Sequence, residues 1–342
     1  MMTMNKELIR GKTKDELKEL FPDGPSYRMD QVYEWIHKKR IHSFDGMTNI
    51  PKDLRKELEK KFVLNSLEKE TVRMSKDGSR KYLYKTMDGE HIECVYIPHD
   101  YGDSICVSTQ AGCRMGCSFC GTAMGGFRRS LTCAEMAEQI EGHEGEKITH
   151  AVIMGMGEPL DNYDETVKFI RLITDGEGYD MSARNITLST CGITGRIRNL
   201  AGEGLPVTLA LSLHAPTQKK RELIMPIAKR YHLREVLDAC SFYFKKTGRR
   251  VTYEYAMIRG INDSREDAGK LALLLGRGQH VNLIPFNSVD GKQMDSSSEG
   301  TIRSFKNILE KNKINVTIRA SAGADIDAAC GQLRNKKERL LG

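Results

Sequence analysis

The period of the apolar positions changes twice along the chain. Up to residue 68 it is helical. Thr13 and Glu16 form a capping box ahead of Leu17, Leu20 and Phe21. A second helix is predicted after Pro25-Ser26, burying Val32, Tyr33 and Ile36, and a third has Pro51 as its first residue and carries Leu54, Leu58 and Phe62. Between residues 70 and 98 the period falls to two. Short alternating runs around Lys81–Tyr84 and Ile92–Tyr96 are separated by Asp88-Gly89, with Asp77-Gly78 just before, which predicts a small antiparallel hairpin unit. From residue 104 onward strand, loop and helix alternate. Strands are predicted at 104–109, 150–156, 185–190, 207–214, 251–257, 281–286 and 314–319, with amphipathic helices between them, such as 132–142 behind the capping box Thr132…Glu135, and 264–275. Such alternation implies an α/β fold, its parallel sheet linked by right-handed crossovers and either doubly wound or rolled into a barrel.

Composition narrows the class. At 342 residues, 39% hydrophobic and 29% charged, the chain reads as a globular protein able to bury a core without disulfides. Its longest apolar runs, such as Leu271–Leu275, fall far short of the ~18 residues that span a bilayer. Charges occupy the N-terminal stretch where a signal peptide needs an apolar run, so a cytoplasmic chain is expected. The net charge is +7, and residues 1–90, with 20 Lys+Arg against 16 Asp+Glu, hold four of the excess positive charges. That surplus suits either a solvated surface or a polyanionic partner. Nine cysteines in a chain of this kind argue for metal or redox chemistry over a disulfide framework.

The strongest chemical signal is Cys113-Arg-Met-Gly-Cys117-Ser-Phe-Cys120, directly after a predicted strand. Three thiolates within eight residues can wrap one soft metal centre. Structural zinc wants a fourth ligand, and the nearest candidates, Cys133 and His143, fit the spacing poorly. A [4Fe–4S] cluster normally takes four cysteines, so three would leave one iron open to a substrate. Gly155-Met156-Gly157-Glu158-Pro159 ends the second strand; its glycines permit close backbone approach, and Glu158 can pair with an ammonium group. Ser189-Thr190, Ser212-Leu213-His214 and Asn287 end later strands, where α/β folds place ligands, although each one alone could be a helix cap or a loop contact.

A strand, then C-x3-C-x2-C with an aromatic before the last cysteine, then βα units, resembles the radical SAM superfamily. The match sharpens over Tyr96-Ile97-Pro98, Cys106–Cys113, MGMGEPL at 154–160, SLHAP at 212–216, MPI at 225–227, NLIPFN at 282–287 and DIDAACGQL at 325–333. These segments, with the N-terminal run YRMDQVYEWIHKKRIHSFDGMTNIPKDLR, resemble the RlmN family across nearly the whole chain. The resemblance implies a partial (βα)6 radical SAM barrel at 104–320, a helical RNA-docking accessory domain at 1–68, a β-hairpin extension at 69–103, and a C-terminal catalytic loop and tail at 321–342. It implies methylation of carbon 2 of adenosine in 23S ribosomal RNA at the peptidyl-transferase centre and in transfer RNA beside the anticodon. One [4Fe–4S] cluster and two S-adenosylmethionines per turnover are implied as well. The roles carried over are cluster ligation by Cys113, Cys117 and Cys120, and S-adenosylmethionine contacts from Gly157, Glu158, Ser189, Ser212, Leu213, His214 and Asn287. Cys330 would be the S-methylcysteine intermediate, Cys106 the resolving cysteine that forms a transient disulfide with it, and Glu93 the proton acceptor. Two cysteines are needed because direct methyl-cation transfer to the electrophilic carbon 2 is unfavourable, whereas a thiolate accepts a methyl group readily.

The chain departs from the family pattern at Cys191, where Ser is common, at Arg128–Thr132, and at Ser321–Ala324, which is less charged than usual. These positions bear on the RNA target more than on the reaction. Two other readings stand beside the main one: a Cfr-like carbon-8 methyltransferase, disfavoured by Gly157-Glu158-Pro159 and Ile284–Asn287, and a non-catalytic iron–sulfur or zinc protein that binds RNA. A flavodoxin reductant and a monomer are expected by family analogy. Cys94, Cys133, Cys191 and Cys240 have no motif role and are expected to be structural.

Overall fold

A computed structural model describes residues 6–22, 24–142, 147–289 and 291–333. His143 and the tail from residue 334 lie outside it.

The N-terminal unit runs β1 (Glu7–Leu8), α1 (Lys14–Leu20), α2 (Ser26–Tyr33), α3 (Lys52–Lys61) and β2 (Phe62–Val63). The capping box at Thr13 and Glu16 forms as the spacing predicts. α2 runs on into a π-helical turn at 34–38 that buries Ile36 and His37. Pro51 caps α3 from outside instead of being its first residue, and Phe62 leaves the helix to begin β2, which pairs in parallel with β1. The unit is riveted to the rest of the chain. Buried Arg10 donates to the Leu64 carbonyl at 2.8 Å and pairs with Glu141, while Glu138 accepts from the Ser66 N–H at 2.8 Å.

β3 (Leu67–Met74), β4 (Arg80–Thr86), β5 (His91–Ile97) and β6 (Asp103–Cys106) follow. The hairpin unit therefore has three strands, and it is not separate, because β5 pairs antiparallel with β6 and extends the main sheet. β3 escapes a sequence reading because LEKETVRM is mostly exposed and charged, which suits an edge strand that must resist pairing with other chains. A small hairpin, β7 (Gln110–Gly112) with β8 (Phe127–Ser130), precedes α4 (Cys133–Glu141).

The remaining elements alternate: β9 (Ile148–Ile153), α5 (Tyr163–Ile173), β10 (Ile186–Thr190), α6 (Thr194–Gly202), β11 (Thr208–Ser212), α7 (Gln218–Ile224), α8 (Leu233–Thr247), β12 (Val251–Met257), α9 (Arg265–Leu275), β13 (His280–Pro285), α10 (Glu299–Lys311) and β14 (Asn315–Ile318). The sheet order is β14-β13-β12-β11-β10-β9-β6-β5-β4-β3. Pairing is parallel from β6 to β14, so six helical crossovers link seven parallel strands in a partial barrel. Strand interiors such as Leu209-Ala210-Leu211 are fully buried, as expected where helices cover a parallel sheet. Most observed strands end earlier than the apolar runs suggest, for example at Ile153 and Ser212. The residues beyond those ends turn over the C-terminal edge of the sheet, where the site lies.

Candidate active site

The C-terminal strand ends surround one cavity of about 220 Å³. Cys106, the last residue of β6, lines it, together with Cys113, Cys117 and Cys120 from the following loop. Gly157 and Glu158 line it beyond β9, Ser189 at the end of β10, Ser212 and His214 at and beyond β11, and Asn287 beyond β13. Cys330 enters from the C-terminal loop. The fold thus brings eleven sequence-nominated residues to one place.

Leu213 and Glu93 are not among the lining residues. The Leu213 side chain is buried in the core, as alternation at the end of β11 requires. Glu93, on β5, is buried and pairs with Lys81 at 3.2 Å. Lys81 also donates to the Asp327 carbonyl at 3.0 Å, so this ion pair is joined to the loop that carries Cys330.

The cysteine loop is closed at its base, where the Cys113 N–H donates to the Gly126 carbonyl at 2.9 Å beside the β7/β8 hairpin. Its far side rests on α7: Ser118 N–H donates to the Ile224 carbonyl at 2.9 Å. Burial pushes the Cys113 thiol up to about 12 and holds Cys117 well above the usual thiol range, with neighbouring cysteines adding to both shifts. Thiols this buried become thiolates only beside a cation or metal. Among the described residues no three His, Cys, Asp or Glu side chains converge on a point that could hold a single metal ion. A four-iron cluster gives each cysteine an iron of its own, so three cysteines lining one cavity suit a cluster.

Backbone detail shapes the opposite wall. Gly157 has φ 101°, and a Cβ there would lie 2.6 Å from the Gln110 side chain, whose Oε1 accepts the Glu158 N–H at 3.0 Å. Glu158 accepts from the Cys191 N–H at 2.7 Å and the Leu160 N–H at 3.1 Å; burial raises its pKa, and these bonds oppose the shift. Ser189 and Ser212 hydroxyls meet at 3.2 Å. His214 sits in the left-handed region at φ 53°, held by Asn262, whose Nδ2 donates to the His214 carbonyl at 2.7 Å. Burial lowers the His214 imidazole to about 3, so it is neutral, and its Nδ1 accepts from the Ala256 N–H.

Sequence reasoning missed Arg319 and Glu254. Both line the cavity, and they pair at 3.4 Å. A carboxylate within the apolar run Tyr253-Glu254-Tyr255-Ala256 was the available signal. Burial pushes the Cys106 thiol up to about 12; charge on Cys330 adds to that, and Arg319 opposes it. Cys94, Cys133 and Cys240 are buried in the hydrophobic core, whereas Cys191 lines the cavity beside Glu158.

Two family profiles match the chain: the N-terminal domain of ribosomal RNA large subunit methyltransferases over residues 9–64, and the radical SAM superfamily over residues 107–272. The chain is 48% identical to a probable dual-specificity RNA methyltransferase RlmN of Lachnoclostridium phytofermentans, covering 95% of this chain and 94% of that protein. It is 46% identical to the protein of the same description from Symbiobacterium thermophilum, covering 98% and 93%. The crystal structure of a radical SAM methyltransferase from Sphaerobacter thermophilus superposes with a TM-score of 0.92 at 41% identity, over 96% of this chain and 99% of that one.

Proposed function

The chain belongs to the RlmN family of dual-specificity RNA methyltransferases within the radical SAM superfamily, and from that premise we propose that it methylates carbon 2 of adenosine in 23S ribosomal RNA and in transfer RNA. The observation that carries this reading is the convergence of Cys106, Cys330 and the three-cysteine loop on one cavity.

In this reading Cys113, Cys117 and Cys120 hold a [4Fe–4S] cluster, which when bound supplies the electron for reductive cleavage of S-adenosylmethionine. Glu158 and the Gly157 backbone receive the amino group of S-adenosylmethionine, and Ser189, Ser212, His214 and Asn287 orient the rest of the molecule from the other strand ends. Leu213 contributes through its backbone, since its side chain belongs to the core. The Cys330 thiolate takes a methyl group from one S-adenosylmethionine by displacement, leaving S-adenosylhomocysteine. Once that methyl carbon has been joined to carbon 2, the Cys106 thiolate attacks the Cys330 sulfur. The S–S bond forms, the electron pair of the broken C–S bond passes to the methylene carbon, that carbon takes up a proton to become the methyl group, and methylated RNA leaves. Glu93 takes the proton lost from carbon 2. Because it faces Lys81, it does so through a water or after that ion pair opens. The basic N-terminal unit docks RNA through phosphate contacts. The same reading takes a flavodoxin as reductant, a monomer as the working form and the cytoplasm as the place of action. Among the described residues no helix is long and apolar enough to cross a membrane.

Mass spectrometry of nucleosides from RNA treated with anaerobically reconstituted protein tests this. 2-Methyladenosine is expected. 8-Methyladenosine, or no methylated adenosine, overturns the reading.

A further inference from the structure

Arg221 is fully buried, yet its partners are neutral. Its Nη2 donates to the Cys191 carbonyl at 2.6 Å and to the Ser212 carbonyl at 3.2 Å, and its Nε donates to the Leu213 carbonyl at 3.3 Å. Nη1 is buried without a hydrogen-bond partner, and no carboxylate pairs with Arg221 among the described residues. A guanidinium taken out of water costs several times what carbonyl contacts return unless an opposite charge lies near. Glu158 in this wall lends Arg221 some favourable charge, but its oxygens accept the Leu160 and Cys191 N–H groups and among the described residues it makes no ion pair with Arg221. His214, held neutral, offers no charge.

What does lie beside Arg221 is the cysteine loop. Arg221 is on α7, and its carbonyl accepts the Met225 N–H at 2.7 Å; the next turn supplies the Ile224 carbonyl on which Ser118 rests. Ile224 and Met225 pack with Met115, Cys113 and Cys117 in one apolar cluster. Arg221 therefore stands behind the loop, on the protein side, where a ligand in the cavity does not reach it. A bound cluster holds its cysteine ligands as thiolates and so places a net negative charge in this buried region.

We propose that Arg221 is the buried counter-ion of the cluster held by Cys113, Cys117 and Cys120, and that its charge raises the cluster's reduction potential. A fixed positive charge behind Cys117 favours the more negative, reduced cluster. Arg221 does not itself line the cavity and acts through the carbonyls of Cys191 and Ser212, which do, so it is a positioning residue. The inference rests on the cluster assignment made above.

Full-length wild type, Arg221→Met, Arg221→Gln and Arg221→Lys, each reconstituted anaerobically, test it by iron content, by EPR-monitored redox titration, and by thermal melts of the apo and loaded forms. The Met and Gln variants are expected to shift the reduction equilibrium about tenfold toward the oxidised cluster, equivalent to about 59 mV for a one-electron couple. Loading should also raise their melting temperature less than it raises that of wild type. The Lys variant loses the fork that grips three carbonyls but keeps the charge, so its potential should stay near wild type while its apo form melts earlier. Loss of iron in the folded Met and Gln variants, with iron retained in Lys, also supports the counter-ion role. An unchanged potential in Met and Gln, or an equal shift in all three variants, overturns it. If wild type itself binds no iron, the cluster assignment fails first, and iron analysis of that one sample distinguishes the two failures.

Discussion

Two of the loops that bring sulfur to the cavity are held in opposite ways. The cluster loop, residues 113–126, is tied at its base by the β7/β8 hairpin and by the Cys113-to-Gly126 backbone bond. The C-terminal loop, residues 320–333, contains only a 3-10 turn at 324–326 and is fastened from outside. The Asp77 carboxylate accepts the Gly323 N–H at 2.8 Å, and the Asp325 carboxylate accepts from Ser75 Oγ and from the Lys76 N–H. Lys81 holds the Asp327 carbonyl, Asn287 Nδ2 donates to the Cys330 carbonyl at 3.3 Å, and the Gly121 N–H donates to the Gly331 carbonyl at 2.7 Å. Backbone closure makes a rigid cage for a ligand that must not move. Scattered side-chain ties, with one backbone bond to Gly121, make a more loosely held arm, which suits the role proposed for Cys330. Cys330 is accordingly exposed and Cys106 buried.

Removing either sulfur of that pair should have the largest effect. Cys330→Ala should abolish RNA methylation while leaving cluster loading intact, as iron analysis would show. Cys106→Ala should form the methylene bridge and fail to release it, giving an RNA–protein band that survives denaturant and reductant, since a thioether resists thiol exchange. Normal turnover by Cys106→Ala, or a band that reductant removes, would break the assignment.

Next in size is damage to the cage. Gly112 has φ 76°, and a Cβ there would run into the Gly126 carbonyl. Gly112→Ala should therefore open the loop base and lose most of the bound iron, whereas Gly89→Ala, with open space around it, should keep its iron. Equal iron in the two variants would show that the hairpin does not control the cage.

The release step should depend on pH. With the Cys106 thiol pushed up to about 12, the thiol form dominates at neutral pH, and the reactive thiolate fraction grows about tenfold per pH unit below that value. Single-turnover release of RNA from the bridged intermediate should therefore accelerate from pH 7 to pH 9, while formation of the bridge should not follow the same slope. A flat release rate would mean that a nearby base, not bulk pH, deprotonates Cys106.

The smallest effect is expected from unfastening the arm. Asp77→Ala together with Asp325→Ala should speed proteolytic cleavage within 320–333 and lower methylation severalfold, with an unchanged cluster EPR signal. Loss of the EPR signal would show that the arm and the cage are one unit after all.

Much of this protein can be read from its residues in order. The capping boxes at Thr13 and Thr132, the β/α alternation and the three-cysteine loop are local patterns, each spanning a few residues, and they appear where the sequence puts them. Strand ends, too, could be placed to within a few residues, which is why most of the nominated cavity residues do meet. What tertiary structure alone decided lies between residues far apart in the chain. β3 is invisible to hydrophobic periodicity because an edge strand buries little, and only its pairing with β4 declares it a strand. Leu213 and His214 are adjacent, yet backbone alternation and the φ of His214 send one side chain to the core and the other to the cavity. The family resemblance marks Glu93 as a proton acceptor, but only the fold shows that Lys81 on the neighbouring strand pairs with it. Arg221 and Arg319 carry no motif at all. What singles them out is their surroundings: Arg221 is buried among neutral carbonyls, and Arg319 lines the cavity against Glu254, contacts that exist only once the chain has folded.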